Sequence, residues 1–195
     1  MMGQEQGSTA SSTISNSYDV QQQQNITIGQ YTVRFIKKIG EGGYSYVFLV
    51  QDINTNQPFA LKRCVSVDSN ASTLIKREID IMQQLTKTKS PNIMQYFGHV
   101  AKPGPNGTTE FYILTEYCSK GSLIGEIQKC LDQGKLYPET TMVKALTDIF
   151  SGLEVMHKQQ PPISHRDIKL ENVLISHTGN YQLCDFGSTS TLNTI

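Results

Sequence analysis

The sequence predicts an α+β fold in two parts, and three observations carry the prediction. Between residues 31 and 65, runs of β-branched and aromatic residues alternate with Gly and Asn turns, which is the texture of antiparallel strands. A helical apolar stripe and two further strand-like runs follow. Past Cys118 the periodicity becomes that of helices. A five-stranded antiparallel unit with one main helix, residues 30–117, therefore precedes a mainly helical unit, residues 118–195.

Residues 1–29 are almost entirely Gln, Ser, Thr, Asn and Gly, including Gln21 to Gln24, and bury too little apolar surface to offset chain entropy. They are expected to be a disordered leader. If Met2 initiated, Gly3 would be a myristoylation candidate, but Gly7 stands where that pattern requires Ser or Thr. From Tyr31, VRFIKKIG, YSYVFLVQ and PFALKRCV read as three strands, with a turn at Asn54 to Gln57. SNASTLIKREIDIMQQLTK reads as a helix with the stripe Leu74, Ile75, Ile81, Met82 and Leu85. Strands are expected around Met94 to Val100 and Phe111 to Glu116, separated by KPGPNGTT. Pro138 opens a second long helix in which Val143, Leu146, Ile149, Phe150, Leu153 and Met156 recur at helical spacing until Pro161.

The chain has 195 residues with 17 basic and 17 acidic side chains, so no broad basic face exists to hold nucleic acid by counterion release. No run approaches the length of a membrane span, and the N-terminus has neither the charged nor the apolar region of a secretory signal. A cytoplasmic protein is expected. Cys64, Cys118, Cys130 and Cys184 lie far apart without a CxxC pair, which argues for free thiols rather than a zinc site or disulfide framework.

Three groups of residues point to chemistry. Gly40, Gly42 and Gly43, followed by Ser45 and Val47, sit between two strands rather than before a helix, which excludes a dinucleotide-binding fingerprint. Such a hairpin can lay backbone N–H groups over phosphates, or be only a bulged turn. Lys62 shares a strand face with Ala60. Glu78 falls within the apolar stripe of the first helix, where a carboxylate needs a cation, and Lys62 is the best candidate; the alternative is that Glu78 sits at the stripe's edge and reaches water. Finally, a hairpin from Asn172 to Asp185 turns near Thr178 and Gly179. Closed there, it places Asn172 opposite Asp185, two oxygen ligands of the kind Mg²⁺ takes, with Asp167 in the loop entering the same open end. The alternative for each carboxylate taken separately is a surface turn.

In order, the Gly-rich loop, the Lys of FALK, the helix Glu, His165-Arg166-Asp167 with Asn172, and Asp185-Phe186-Gly187 match the signature set of protein kinases. The chain resembles eukaryotic protein kinases over residues 31–195, and Lys169, two after Asp167, resembles the serine/threonine version. GEGGYSYVFLV, FALKR, KREIDIM, HRDIKLENVLI and LCDFGS are similar to the Numb-associated kinase family, in which a small residue, here Ser45, replaces the third loop glycine.

The resemblance implies a two-lobed kinase fold and phosphoryl transfer from Mg·ATP to a protein Ser or Thr, with clathrin adaptors as the substrates suggested by that family. It implies that Lys62, paired to Glu78, holds the α and β phosphates, that Asn172 and Asp185 bind Mg²⁺, that Asp167 takes or orients the substrate hydroxyl proton, and that Lys169 approaches the transferring phosphate. It further implies that Val47 and Ala60 line the adenine pocket, Thr115 is the gatekeeper, and Glu116 with Cys118 offers hinge backbone groups. Cys184 is expected to be a small buried hydrophobe rather than a reactive thiol.

Only eight residues follow Gly187. The large lobe is therefore expected to be incomplete, with part of the second long helix uncovered at Leu146, Ile149, Phe150 and Leu153. A non-catalytic nucleotide- or partner-binding module is the alternative function.

Overall fold

A computed structural model describes residues 25–43 and 45–191. Residues 1–24, which hold most of the predicted leader and Gly3, lie outside the described residues, as does Tyr44. The first unit is one antiparallel sheet of six strands in the order β1-β2-β3-β4-β6-β5. These strands are β1 (Ile26–Ile28), β2 (Tyr31–Gly42), β3 (Ser45–Asp52), β4 (Pro58–Ser66), β5 (Tyr96–Pro103) and β6 (Thr109–Glu116).

Five strands were expected, and the sixth, β1, comes from residues assigned to the leader. Ile26 and Ile28 are buried there because the short strand pairs with β2 and folds its side chains onto the outer face of the sheet. Their neighbours are Val33, Val50, Phe59, Leu61 and Leu114. Burying one such side chain contributes about 1.5–3 kcal/mol, enough to hold three residues in an otherwise polar stretch. A Cβ at Gly98 on β5 would come within 2.9 Å of Ile28 Cγ2, so glycine lets β1 close against β5.

The other face of the sheet receives α1 (Ser69–Thr86), capped by Asp68, whose side chain accepts the Ala71 N–H at 2.7 Å. Glu78, Ile79, Ile81, Met82 and Leu85 form its buried side. Leu74, expected in that stripe, is instead 61% exposed, at the rim of an open cavity beside Lys62 that no other side chain fills. On the outer face Arg63 pairs with Glu110, which also accepts the Tyr112 hydroxyl, so a charge on the apolar side is fully partnered. Burial and the Glu110 hydrogen bond push the Tyr112 phenol up to about 12.

The second unit contains α2 (Leu123–Asp132), capped by Ser122, and α3 (Glu139–His157). Pro138 stands at the cap position of α3, one residue outside the first turn where it was expected. The hairpin β8 (Val173–Ile175) and β9 (Tyr181–Leu183) lies against α3, and β7 (Ile163–Ser164) pairs with β10 (Ser190–Thr191). A Cβ at Gly152 of α3 would lie 2.8 Å from Asn92 O and 3.0 Å from Leu183 Cδ1. The absence of a side chain lets the helix seat directly beneath β9. Leu183 N–H donates to Asn92 O, and Met94 N–H donates to Leu183 O. These bonds fix the hairpin to the segment joining α1 to β5. Of the apolar positions predicted to stay uncovered on α3, Leu146 and Phe150 are exposed, whereas Ile149 and Leu153 pack against the core.

Among the described residues no helix is long and apolar enough to cross a membrane. Cys64, Cys118, Cys130 and Cys184 are free.

Candidate active site

Strand register assembles one wall of the site. Val47 lies opposite Gly40 on β2 and Lys62 on β4, while Ala60 lies opposite Leu49 and Thr115. Residues directly opposite in an antiparallel pair share a face. Ser45, Val47, Ala60, Lys62 and Thr115 therefore all project from the sheet face that α1 covers in part. Gly42 pairs with Ser45 at the closed end, where a Cβ on Gly42 would reach 3.0 Å from Ser45 Oγ, and a Cβ on Gly43 would meet nothing within 4 Å. The backbone at Gly43 is thus open to close approach.

Lys62 Nζ lies 2.7 Å from Glu78 Oε1 and 3.6 Å from Asp185 Oδ1. Glu78 faces the sheet, not water, which decides between the two sequence readings. Burial alone would lower the Lys62 pKa, but the carboxylates of Glu78 and Asp185 outweigh it and hold the ammonium charged. A cavity of about 430 Å³ opens beside Lys62, between β4 and the start of α1, lined also by Ser45, Cys64, Val67, Asp68 and Leu74. None of its lining residues belongs to the segment 115–118.

Across from this wall, Asn172 ends a short 3₁₀ turn, Leu170–Asn172, and enters β8. Its Nδ2 donates to Asp167 O and Asp167 Oδ2, both at 2.9 Å. The register corrects one expectation: Val173 pairs with Leu183, and Cys184 N–H donates to Asn172 O, so Cys184 and not Asp185 stands opposite Asn172. The cause is the turn, which closes by Ser176 N–H to Asn180 O and so centres on Thr178 rather than between Thr178 and Gly179. Asp185 comes one residue later in the left-handed conformation, φ 60°, which a non-glycine residue rarely holds and which tends to mark functional sites. Its carboxylate is thereby turned toward Lys62.

Lys169 Nζ lies 2.9 Å from Asp167 Oδ2. That bond, helped by Asn172, holds the Asp167 carboxyl below its ordinary range, and Lys169 is raised in return. His165 is buried, and burial lowers its pKa. Its ring packs, tilted, with its centroid 5.6 Å from that of Phe186 and bonds Cys184 O at 3.1 Å, so the segments bearing Asp167 and Asp185 share one support. Arg166, also left-handed at φ 66°, donates to Ser188 O and Thr189 O. Burial pushes the Cys184 thiol up to about 12, in keeping with its expected role as filler.

The donor set suits a hard divalent cation. With the Asn172 amide nitrogen committed to Asp167, its oxygen is left as a ligand, and Asp185 adds a carboxylate whose side chain is 47% exposed. Among the described residues no group of three or more His, Cys, Asp or Glu gathers as a metal cluster. At the far end of the wall Thr115 is buried, and its hydroxyl lies 3.5 Å from Ala60 O. Glu116 N–H donates to Gln95 O, and Cys118 O accepts the Gly121 N–H.

Sequence reasoning assigned no role to His165, Arg166 or Gln182. The first two stood inside a matched motif. Gln182 carried no signal, because its partners Glu116 and Cys118 are more than sixty residues away.

A Gly-rich hairpin, a paired lysine and a left-handed Asp thus come together where the sheet unit meets the helical unit. The protein kinase domain family matches residues 33–194, and the chain belongs to that family. A probable serine/threonine-protein kinase of Dictyostelium discoideum is 44% identical over 170 residues, covering 87% of this chain and 15% of the relative. The actin-regulating kinase PRK1 of Saccharomyces cerevisiae is 34% identical over 172 residues, 85% of this chain and 21% of that protein. Actin-regulating kinase 1 of the same yeast is 36% identical, over 84% of this chain and 26% of its own length. The chain thus spans roughly a quarter or less of the length of these curated relatives.

Proposed function

We propose that the chain carries the catalytic cleft of a cytoplasmic serine/threonine protein kinase that transfers the γ-phosphoryl of Mg·ATP to a protein hydroxyl. The observation that carries this reading is the contact of Lys62 with both Glu78 and Asp185, which joins the phosphate-facing lysine to the cation-facing carboxylate. Bound Mg²⁺ supplies charge neutralisation at the phosphates. Asn172 and Asp185 would hold it by their oxygens, and Lys62 would hold the α and β phosphates. The backbone of Gly40, Gly42 and Gly43 with Ser45 would cover those phosphates.

Val47 and Ala60 would line the purine, Thr115 would close the back of its pocket, and Glu116 and Cys118 would present backbone groups to its edge. Asp167, ionised and held by Asn172, would orient the substrate hydroxyl and receive its proton. Lys169, already at Asp167, would meet the charge that develops on the transferring group, so that catalysis is positioning plus electrostatics. A Numb-associated type, with substrates among clathrin adaptors, is the finer reading; it rests on the resemblance of the loop and of HRDIKLENVLI. Two yeast relatives are named as actin-regulating kinases.

The test is a radiolabel transfer assay from ATP to protein with the parent, Lys62→Ala and Asp185→Ala. Loss of transfer in both variants supports the reading, and transfer equal to the parent in either would sink it. Nucleotide binding without any transfer by the parent would leave a binding module.

A further inference from the structure

Gln182 on β9 is buried, 4% exposed, and its amide is spent across the boundary between the two units. Nε2 donates to Glu116 Oε2 at 3.1 Å, and Oε1 accepts the Cys118 thiol at 3.4 Å. Both partners belong to the single strand of chain that leaves β6 for α2. Gln182 itself stands three residues before Asp185, on a strand fixed by Asn92, Met94 and the seat at Gly152. Burial and the Glu116 carboxylate push the Cys118 thiol up to about 12, so at neutral pH it carries the proton this arrangement needs. The exposed His177 Nδ1 lies 3.7 Å from the other oxygen of Glu116.

An amide that is almost wholly buried has to satisfy both its donor and its acceptor, because an orphaned one costs free energy. Leucine or valine would fill this site on an apolar strand without such demands. The amide therefore fixes a relationship: Glu116 and Cys118 can keep their bonds only while the segment between the units holds one position relative to β9.

We propose that Gln182 is a positioning residue for the purine end of the nucleotide, clamping Glu116 and Cys118 to the strand that leads into Asp185. The inference rests on the ATP-binding reading above and extends it to a residue that touches neither phosphate nor cation. The backbone of 116–118 is the part of the proposed site that faces a base, and both of its clamped side chains point to Gln182. Asp185 has its own supports, through the Cys184 to Asn172 bond and the His165 contact, and does not depend on the clamp.

The experiment is calorimetric titration of the full chain with adenosine, which has no phosphates, and with ATP in the presence and absence of Mg²⁺. The variants are Gln182→Leu, Gln182→Glu, and Gln182→Glu combined with Glu116→Gln. Thermal unfolding is followed in parallel, and all ligands are compared at a temperature where every variant is folded. Replacing Gln182 by Leu is expected to weaken adenosine and ATP alike, by about tenfold, and to leave the ratio of ATP affinities with and without Mg²⁺ unchanged. The single Glu variant, which sets two carboxylates face to face, is expected to be at least as weak, and the swapped pair to recover to within about threefold of the parent. A packing defect would not be rescued by exchanging the two groups. Parent-like adenosine binding in Gln182→Leu, a loss confined to the Mg²⁺-dependent part, or failure of the swap to rescue would each overturn the inference while the nucleotide reading stands. A parent chain that binds neither ligand would instead overturn the nucleotide reading, and this inference with it.

Discussion

Lys62 and Glu78 form a hydrogen-bonded ion pair of 2.7 Å between β4 and α1, with the Glu78 side chain only 8% exposed. The pair has two consequences. It ties α1 to the sheet, and it holds the ammonium within reach of Asp185. Removing one member leaves a buried charge alone, whereas removing both does not.

Lys62→Ala is therefore expected to destabilise the chain by about 3–5 kcal/mol, and Lys62→Ala with Glu78→Ala by clearly less. Urea unfolding of the two single variants and the double variant checks this. Additive losses would mean that the pair does not couple the sheet to the helix.

Asp167→Asn removes the base while keeping the size and most hydrogen bonds of the side chain. Phosphoryl transfer is expected to fall by about 10²–10⁴, as general-base loss does, with Mg·ATP affinity within a few-fold of the parent. Parallel transfer and binding assays decide it. A large loss of affinity would place Asp167 in ligand binding instead.

Glu110 supplies a pH signature away from the site. Burial would raise its pKa, but Arg63 and the Tyr112 hydroxyl outweigh burial and hold it below the usual carboxylate value. A carboxyl whose folded pKa is depressed stabilises fully above its unfolded value of about 4.3 and loses that contribution as pH falls through the folded value. Stability should thus decline in that acid window, and Glu110→Gln should flatten the decline while lowering stability at neutral pH. Denaturant titrations across the window read both effects.

Two packing predictions test how the site is supported. Gly152→Ala should cost about 1–3 kcal/mol, because its methyl group meets Asn92 O and Leu183 rather than space. Ile28→Ala should cost about 2–5 kcal/mol if β1 is a true part of the sheet. Thermal or urea unfolding measures each, and a neutral Ile28→Ala would mean that β1 adds nothing to the first unit.

These positions also mark what could be read from sequence. Lys62 with Glu78 was legible because both effects are local: alternation on a strand places the lysine, and a carboxylate within an apolar stripe asks for a cation. β1 was not, since three residues, Ile-Thr-Ile, within a Gln- and Asn-rich stretch give too short a period to separate from a leader. Leu74 follows the helical period but borders the open cavity beside Lys62, and periodicity says which face a residue takes, not whether a partner covers it. The hairpin 172–185 was recognised as a hairpin, yet its register slipped by one, because the turn is centred on Thr178 by the Ser176–Asn180 bond. Gln182 was out of reach altogether, for its meaning lies in two distant residues.

The central claim is that Lys62 and Asp185 act on one Mg·ATP. It is tested most directly by γ-radiolabelled ATP transfer to serine or threonine in a protein acceptor, comparing the parent with Lys62→Ala and Asp185→Ala at matched folded concentrations. The account predicts transfer by the parent, recovered as phosphoserine or phosphothreonine, and its loss in both variants by a hundredfold or more, of the size single electrostatic contacts contribute to catalysis. Transfer by either variant at the parental rate would contradict it.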